Sequence, residues 1–177
     1  MSGPLGRLIN CKFHMQIRTA LLADFPTIEA LLHRTYEPVL DAMSPKHAEN
    51  FRNIFSQMVS QYGEKGTWFV TESNNRLIGC VAYFPPHSVA HWLFHESWAH
   101  IQLLGVDTSH TRRGIGKDLM LHCMSAARVA GVKTFALQTS EIMAPARKLY
   151  ESLGFVVERS LEPAFGHPTY LYLHRET

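Results

Sequence analysis

Apolar residues recur along this chain with two periods, and the change from one to the other divides it into strands and helices. Gln16-Ile17-Arg18 reads as a short strand. Asp24-Phe25-Pro26 then reads as a helix start, with Asp24 as N-cap and Pro26 in the first turn, and Ile28, Leu31, Leu32 and Tyr36 follow at helical spacing. Ser44-Pro45 is a second cap, opening a helix with Phe51, Ile54, Phe55, Met58 and Tyr62 on one side and Gly63 and Gly66 at its end. Thr67 to Glu72 and Leu77 to Phe84 are β-rich runs joined by the polar turn Ser73-Asn74-Asn75-Arg76, which makes them a hairpin that Pro85-Pro86 breaks.

From His87 to Trp98 the chain is aromatic without a clear period, and we read it as a lid over a substrate in preference to a buried loop. His100 to Asp107 carries apolar residues on both faces, Ile101 and Leu103 against Leu104 and Val106, the pattern of a central strand covered on both sides. A helix runs from Gly116 to Ala130 and stops at Gly131, a strand follows from Val132 to Thr139, and Pro145 opens a further helix that Gly154 closes. Phe155-Val156-Val157 resumes strand, and Thr169 to Leu173 is the last one. The order predicts an α/β (α+β) fold: a mixed sheet with hairpins at both ends and helices on its faces.

Composition narrows the class. One domain over residues 15–177 suits the 177-residue length, with residues 1–14 set aside as a disordered N-terminal extension because strand begins directly after Met15. A formal net charge of +2 is far from the basic footprint of a nucleic-acid binder. No apolar run reaches membrane-spanning length or makes a secretory leader. Cys11, Cys80 and Cys123 are scattered and odd in number, so no disulfide framework or metal pair arises within one chain, and a cytoplasmic setting fits. His87, His91 and His95 recur every four residues, yet Pro85-Pro86 and the lack of helical patterning argue against a shared zinc-binding face, and no metal is expected.

Chemistry concentrates at Thr111-Arg112-Arg113-Gly114-Ile115-Gly116-Lys117, where a strand ends in a glycine-bearing turn that opens a helix. The first helical amides lack intrahelical partners and point where an anion can sit, while Arg112, Arg113 and Lys117 add positive charge. A dinucleotide-binding loop would need glycine at 119, where Leu119 stands. A P-loop would need glycine at 111 and Ser or Thr after Lys117, where Thr111 and Asp118 stand.

The segment IQLLGVDTSHTRRGIGKDLM resembles motif A of the GNAT acetyltransferases, Gln/Arg-x-x-Gly-x-Gly/Ala after a central strand. ARKLYESLGF resembles the superfamily's next motif, and QIRTALLADFPTIEALLHRTY its opening strand and helix. The resemblance spans residues 16–174 in element order and is specific from about 100 to 155. It implies a mostly antiparallel twisted sheet with a splayed central strand pair, acetyl-CoA as co-substrate, and acetyl transfer to a primary amine by direct attack through a tetrahedral intermediate. The pyrophosphate would lie on residues 111–117 and the pantetheine arm along Leu104 and Val106, with Gly105 between them as an unobstructed surface or a bulge. Tyr150 matches the family's acid for the departing thiolate.

Two positions depart from the pattern: Thr111 stands where Gln or Arg is usual, and Met143 where an Asn seven residues before the tyrosine is common. The base for the amine is assigned to His100, which occupies a place where many members carry Glu, with Gln102 positioning a water and Glu96 as a substitute. A non-catalytic acyl-CoA-binding module is the alternative. The acceptor is a small-molecule or peptide amine, which Glu37, Asp41 and Glu96 would face if it is cationic; a homodimer stays open, and neither nucleic acid nor membrane is expected as a partner.

Overall fold

The computed structural model describes residues 15–63, 65–88 and 90–176, so the expectation for residues 1–14 lies outside the described residues. In chain order the elements are β1 (Gln16–Thr19), α1 (Phe25–Leu40), α2 (Pro45–Tyr62), β2 (Thr67–Ser73), β3 (Arg76–Phe84), β4 (Ala99–Val106), α3 (Ile115–Val129), β5 (Thr134–Ser140), α4 (Ala144–Ser152), β6 (Val156–Ala164) and β7 (His167–Arg175). The strands form one sheet in the order β1-β2-β3-β4-β5-β7-β6. Every neighbouring pair is antiparallel except β4 and β5. The pattern of apolar residues predicts this mixed sheet, and the resemblance implies its mostly antiparallel pairing.

Local chemistry explains the boundaries. Ser44 caps α2 by accepting the His47 amide at 3.3 Å. Asp24 precedes α1 as expected but is drawn backwards, taking the Leu21 amide at 2.7 Å and the Arg18 guanidinium at 2.6 Å in place of a helical amide. Asn74 and Asn75 adopt φ of 50° and 59°, the left-handed pair that a two-residue hairpin turn requires. β6 extends to Ala164, well past the expected Val157, as an exposed edge strand whose side chains carry no alternating pattern.

Two cores sandwich the sheet. On one face α1 and α2 lay Ile28, Leu31, Leu32, Phe55 and Val59 over Trp68, Val70 and Phe84. On the other, α3 and α4 bring Ile115, Leu119, Met120, Cys123 and Tyr150 over Ile78, Val81, Tyr83 and Leu137. Each large side chain so buried contributes about 1.5–3 kcal/mol. Gly105 is where α1 comes closest to β4, since a Cβ there would stand 2.7 Å from Leu32 Cδ2.

β4 carries two irregularities that shape the site. Cys80 pairs with Gly105 and Ala82 with Gln102, so Leu103 and Leu104 together oppose Val81. That bulge holds Leu103 at φ 54°, a conformation that costs roughly 1–2 kcal/mol and is kept by the packing around a side chain only 9% exposed. The bulge therefore sits at Leu103-Leu104, and Gly105 serves the helix contact instead. Pairing with β5 is confined to Ala99–Phe135 and His100–Ala136; beyond His100 the two parallel strands have no paired register, the splay expected of the central pair.

Candidate functional site

The turn after β4 is built to leave amides free. Asp107 accepts the Ser109 amide at 3.0 Å and starts a 3-10 turn, Thr108–His110. The Thr111 hydroxyl donates to the Thr108 carbonyl at 3.1 Å, so the side chain standing in place of Gln or Arg braces the turn. Arg112 at φ 61° and Gly114 at φ 85° swing the chain into α3, which has no side-chain cap. Its first bond runs from the Asp118 amide to the Gly114 carbonyl at 2.9 Å. The amides of Ile115, Gly116 and Lys117 are thus without a hydrogen-bond partner among the described residues, at the positive end of a 15-residue helix. Arg112, Arg113 and Lys117 are exposed around them.

Gly116 ties this cradle to the rest of the site. A Cβ there would lie 3.3 Å from Leu149 Cδ2 and 3.6 Å from Val106 Cγ2, so the turn rests on the end of β4 and on the α4 residue next to Tyr150. Beyond that contact the gap between β4 and β5 opens into a cavity of about 600 Å³. Its walls include Gln102, Leu103 and Leu104 of β4, Thr139 and Ser140 of β5, Met143 and Tyr150 near α4, and the facing sides of α1 and α2. Phe165, at the β6–β7 tip, packs on Phe51 of α2 with ring centroids 5.0 Å apart and closes the far side.

Tyr150 is buried, and its burial pushes the phenol well above the ordinary tyrosine range, so the O–H stays protonated. Tyr36 shares the wall; burial first, then the neighbouring Tyr150 and Cys80, raise it as well. The Tyr36 hydroxyl donates to the Leu104 carbonyl at 3.2 Å, and Thr35 donates to the Val106 carbonyl at 3.2 Å. These two α1 side chains bracket the strand segment singled out from the sequence, which itself marked Tyr36 only as one of a helix's apolar positions. Gln102 lines the cavity, and its Nε2 is buried without a hydrogen-bond partner among the described residues.

His100 does not stand in the cavity wall. It is 3% exposed, stacked between Phe84 at 4.8 Å and Phe94 at 4.3 Å, with neither ring nitrogen bonded. Burial first, and then His91, hold its pKa down at about 3. His91, with its ring 5.8 Å away, is the imidazole that lines the cavity. Leu93 and Phe94 from the same segment are buried against Ala136, Leu171 and Leu173. The 85–98 segment is thus anchored by a small core, and among its described residues only His91 and the exposed Trp92 line the cavity. Glu37, Asp41 and Glu96 do not line the cavity, Glu37 being paired with Arg52 at 2.6 Å on the outer surface. Among the described residues no group of His, Cys, Asp and Glu is placed to hold a metal, and no helix is long and apolar enough to cross a membrane.

The sequence model of the acetyltransferase (GNAT) family matches residues 25–155. Among curated proteins the chain is 34% identical to N-acetyltransferase 8 of Homo sapiens over 97 residues, which are 54% of this chain and 41% of that protein. It is 37% identical to the uncharacterized N-acetyltransferase YsnE of Bacillus subtilis over 57 residues, 31% of this chain and 38% of the other. The chain thus spans less than half the length of the curated relatives it matches. The structure resembles the PaiA N-acetyltransferase of Thermoplasma acidophilum in complex with coenzyme A, with TM-score 0.72 and 16% identity over 92% of this chain and 99% of that one. It also resembles a GNAT family acetyltransferase of Elizabethkingia anophelis with acetyl-CoA bound, with TM-score 0.63 and 18% identity over 92% and 98% of the two chains. At these identities the likeness is one of fold.

Proposed function

The chain belongs to the acetyltransferase (GNAT) family, and on that premise we propose that it transfers an acetyl group from acetyl-CoA to a primary amine. One observation carries the reading: three partnerless amides at the start of α3 include that of Gly116, which abuts Leu149, the neighbour of Tyr150 in the cavity wall. The amides of Ile115, Gly116 and Lys117, with Thr111 bracing the turn, would take the pyrophosphate under Arg112, Arg113 and Lys117. Each hydrogen bond to a charged oxygen contributes about 1.5–3 kcal/mol. The pantetheine arm would follow Leu104 and Val106 along the edge of β4 that β5 leaves unpaired.

In this reading the amine attacks the thioester carbonyl from the α1–α2 side. The protonated Tyr150 donates to the sulfur as the carbon–sulfur bond breaks. Gln102, with its donor unspent, orients the acceptor or a water. For the amine's proton His100 is set aside, because a ring stacked between two phenylalanines with both nitrogens buried cannot reach an acceptor directly; His91 at the cavity wall accepts the Leu93 amide on Nδ1 at 3.1 Å, so its Nε2–H would hold a water, and that water takes the proton. Cys80 and Cys123 are free and buried, which suits a reducing compartment such as the cytoplasm.

The absence of a carboxylate from the described cavity wall favours a second reading, a non-catalytic acyl-CoA-binding module. Thermal stabilisation by acetyl-CoA, together with thiol release on adding a panel of primary amines, tests both. Stabilisation with amine-dependent release is the expected result. Stabilisation without release on any amine supports the module, and neither effect overturns the reading.

A further inference from the structure

Resting on the acetyl-transfer reading, we infer that the acceptor is an apolar primary amine, a single amino group on an alkyl or aralkyl body, and not a polyamine or a basic peptide. The part of the cavity away from Tyr150 is walled by Val39, Met43, Phe51, Ile54, Met58 and Phe165. Among the described residues lining the whole cavity there is no Asp, Glu, Lys or Arg, and the sole imidazole is that of His91. The acidic side chains that a cationic acceptor would need are elsewhere, Glu37 being engaged by Arg52. A second ammonium group carried into this chamber would be partly desolvated with no charged partner and only neutral acceptors such as Gln138 and Ser140, a penalty that an alkyl or aryl substituent does not meet.

The same chemistry fits the reaction. The nucleophile has to be the neutral amine, and an apolar surround favours the neutral form of an ammonium group. Its nitrogen lone pair forms the new C–N bond, the thioester C–S bond breaks, coenzyme A leaves as the thiolate that takes a proton, and the amine releases one proton. The products are an N-alkyl or N-aralkyl acetamide and free coenzyme A, with no oxidant or reductant. The aromatic stack of Tyr36, Phe51 and Phe55, with centroids 5.0–5.7 Å apart, supplies a face for a ring, and exposed Trp92 stands at the rim.

The test is a series of n-alkylamines and ω-phenylalkylamines with acetyl-CoA, read by coenzyme A release, beside diamines of matching chain length, spermidine and a lysine-containing peptide. kcat/KM is expected to rise roughly fourfold per added methylene until the chamber is filled, the value of one buried CH₂. Each monoamine should exceed the diamine of its length by at least about tenfold. Ile54 lies on α2 at 46% exposure, so Ile54→Glu should fold. It should narrow or invert the preference between hexylamine and its diamine while acetyl-CoA still raises Tm. Equal or better turnover of spermidine or the peptide by the unaltered protein, or no change of preference in Ile54→Glu, overturns the apolar acceptor and leaves acetyl transfer standing. Acetyl-CoA stabilisation without release from any amine removes catalysis and this inference together.

Discussion

At the scale of single residues, two ionisable rings, Tyr150 and His100, decide how the site would work. Tyr150 is legible in the sequence because a tyrosine separated by two residues from Leu-Gly-Phe is a local pattern, and local patterns survive folding. Tyr150→Phe keeps the ring that packs in the core and removes the donor, so stability should change by less than about 1.5 kcal/mol. Turnover should fall roughly 10²- to 10⁴-fold with acetyl-CoA affinity nearly unchanged; steady-state kinetics and calorimetry on the same sample separate the two. His100 was visible only as a residue type near a strand start. Whether its ring faces a cavity or a phenylalanine depends on Phe84 and Phe94, which are distant or irregularly spaced in sequence. With its pKa near 3 when folded and about 6.5 when unfolded, the unfolded chain binds the extra proton between those values. Stability therefore rises with pH across this window, at up to about 1.4 kcal/mol per pH unit, and is lost as pH falls through it. His100→Phe should flatten that slope in Tm measured from about pH 4 to about pH 7 and leave turnover largely intact. Parallel Tm curves would show that the ring is not held neutral, and a collapse of turnover would return the base role to His100.

At the scale of elements, the strong periodicities were legible and the weak ones were not. α2, α3 and the β2–β3 hairpin fall within one or two residues of their expected bounds, because caps, glycine stops and an Asn-Asn turn are local chemistry. The sequence does not mark the full length of β6, because Glu158, Arg159, Ser160 and Glu162 lie on an exposed edge strand, where neither face needs apolar residues. The bulge in β4 escaped for a different reason. Gly105 invites that role, yet the register slip falls at Leu103-Leu104, set by how β3 and α1 pack around the strand. Gly105→Ala would press a methyl against the fully buried Leu32 and is expected to destabilise the protein by about 1–3 kcal/mol. Chemical denaturation measures it; a neutral effect would mean that α1 slides freely on β4, and the Thr35 and Tyr36 hydrogen bonds to the strand would then be poor anchors for the site.

At the scale of the whole molecule, the α3 turn leans on Val106 and on Leu149, the neighbour of Tyr150 in the cavity wall, and the charge across these parts is uneven. Cationic side chains gather at the α3 turn, while the described chamber wall bears none, an asymmetry that the net charge of +2 conceals. Only the folded chain brings the turn, Val106 and Leu149 together, so acetyl-CoA should bind it and not the unfolded state. At a ligand concentration about a hundredfold above Kd this linkage stabilises by about 2.7 kcal/mol. For a chain of this size each kcal/mol moves Tm by about 2–4 °C, so the shift should be roughly 5–10 °C. NAD and ATP should give far less, since neither of their usual loops is present. Gly116→Glu places a carboxylate among the amides of the turn and should abolish the shift, while rising salt should shrink it in the unaltered protein by screening Arg112, Arg113 and Lys117. A shift that survives Gly116→Glu, or that ignores salt, would move the diphosphate off the α3 turn and leave the partnerless amides of residues 115–117 without a ligand.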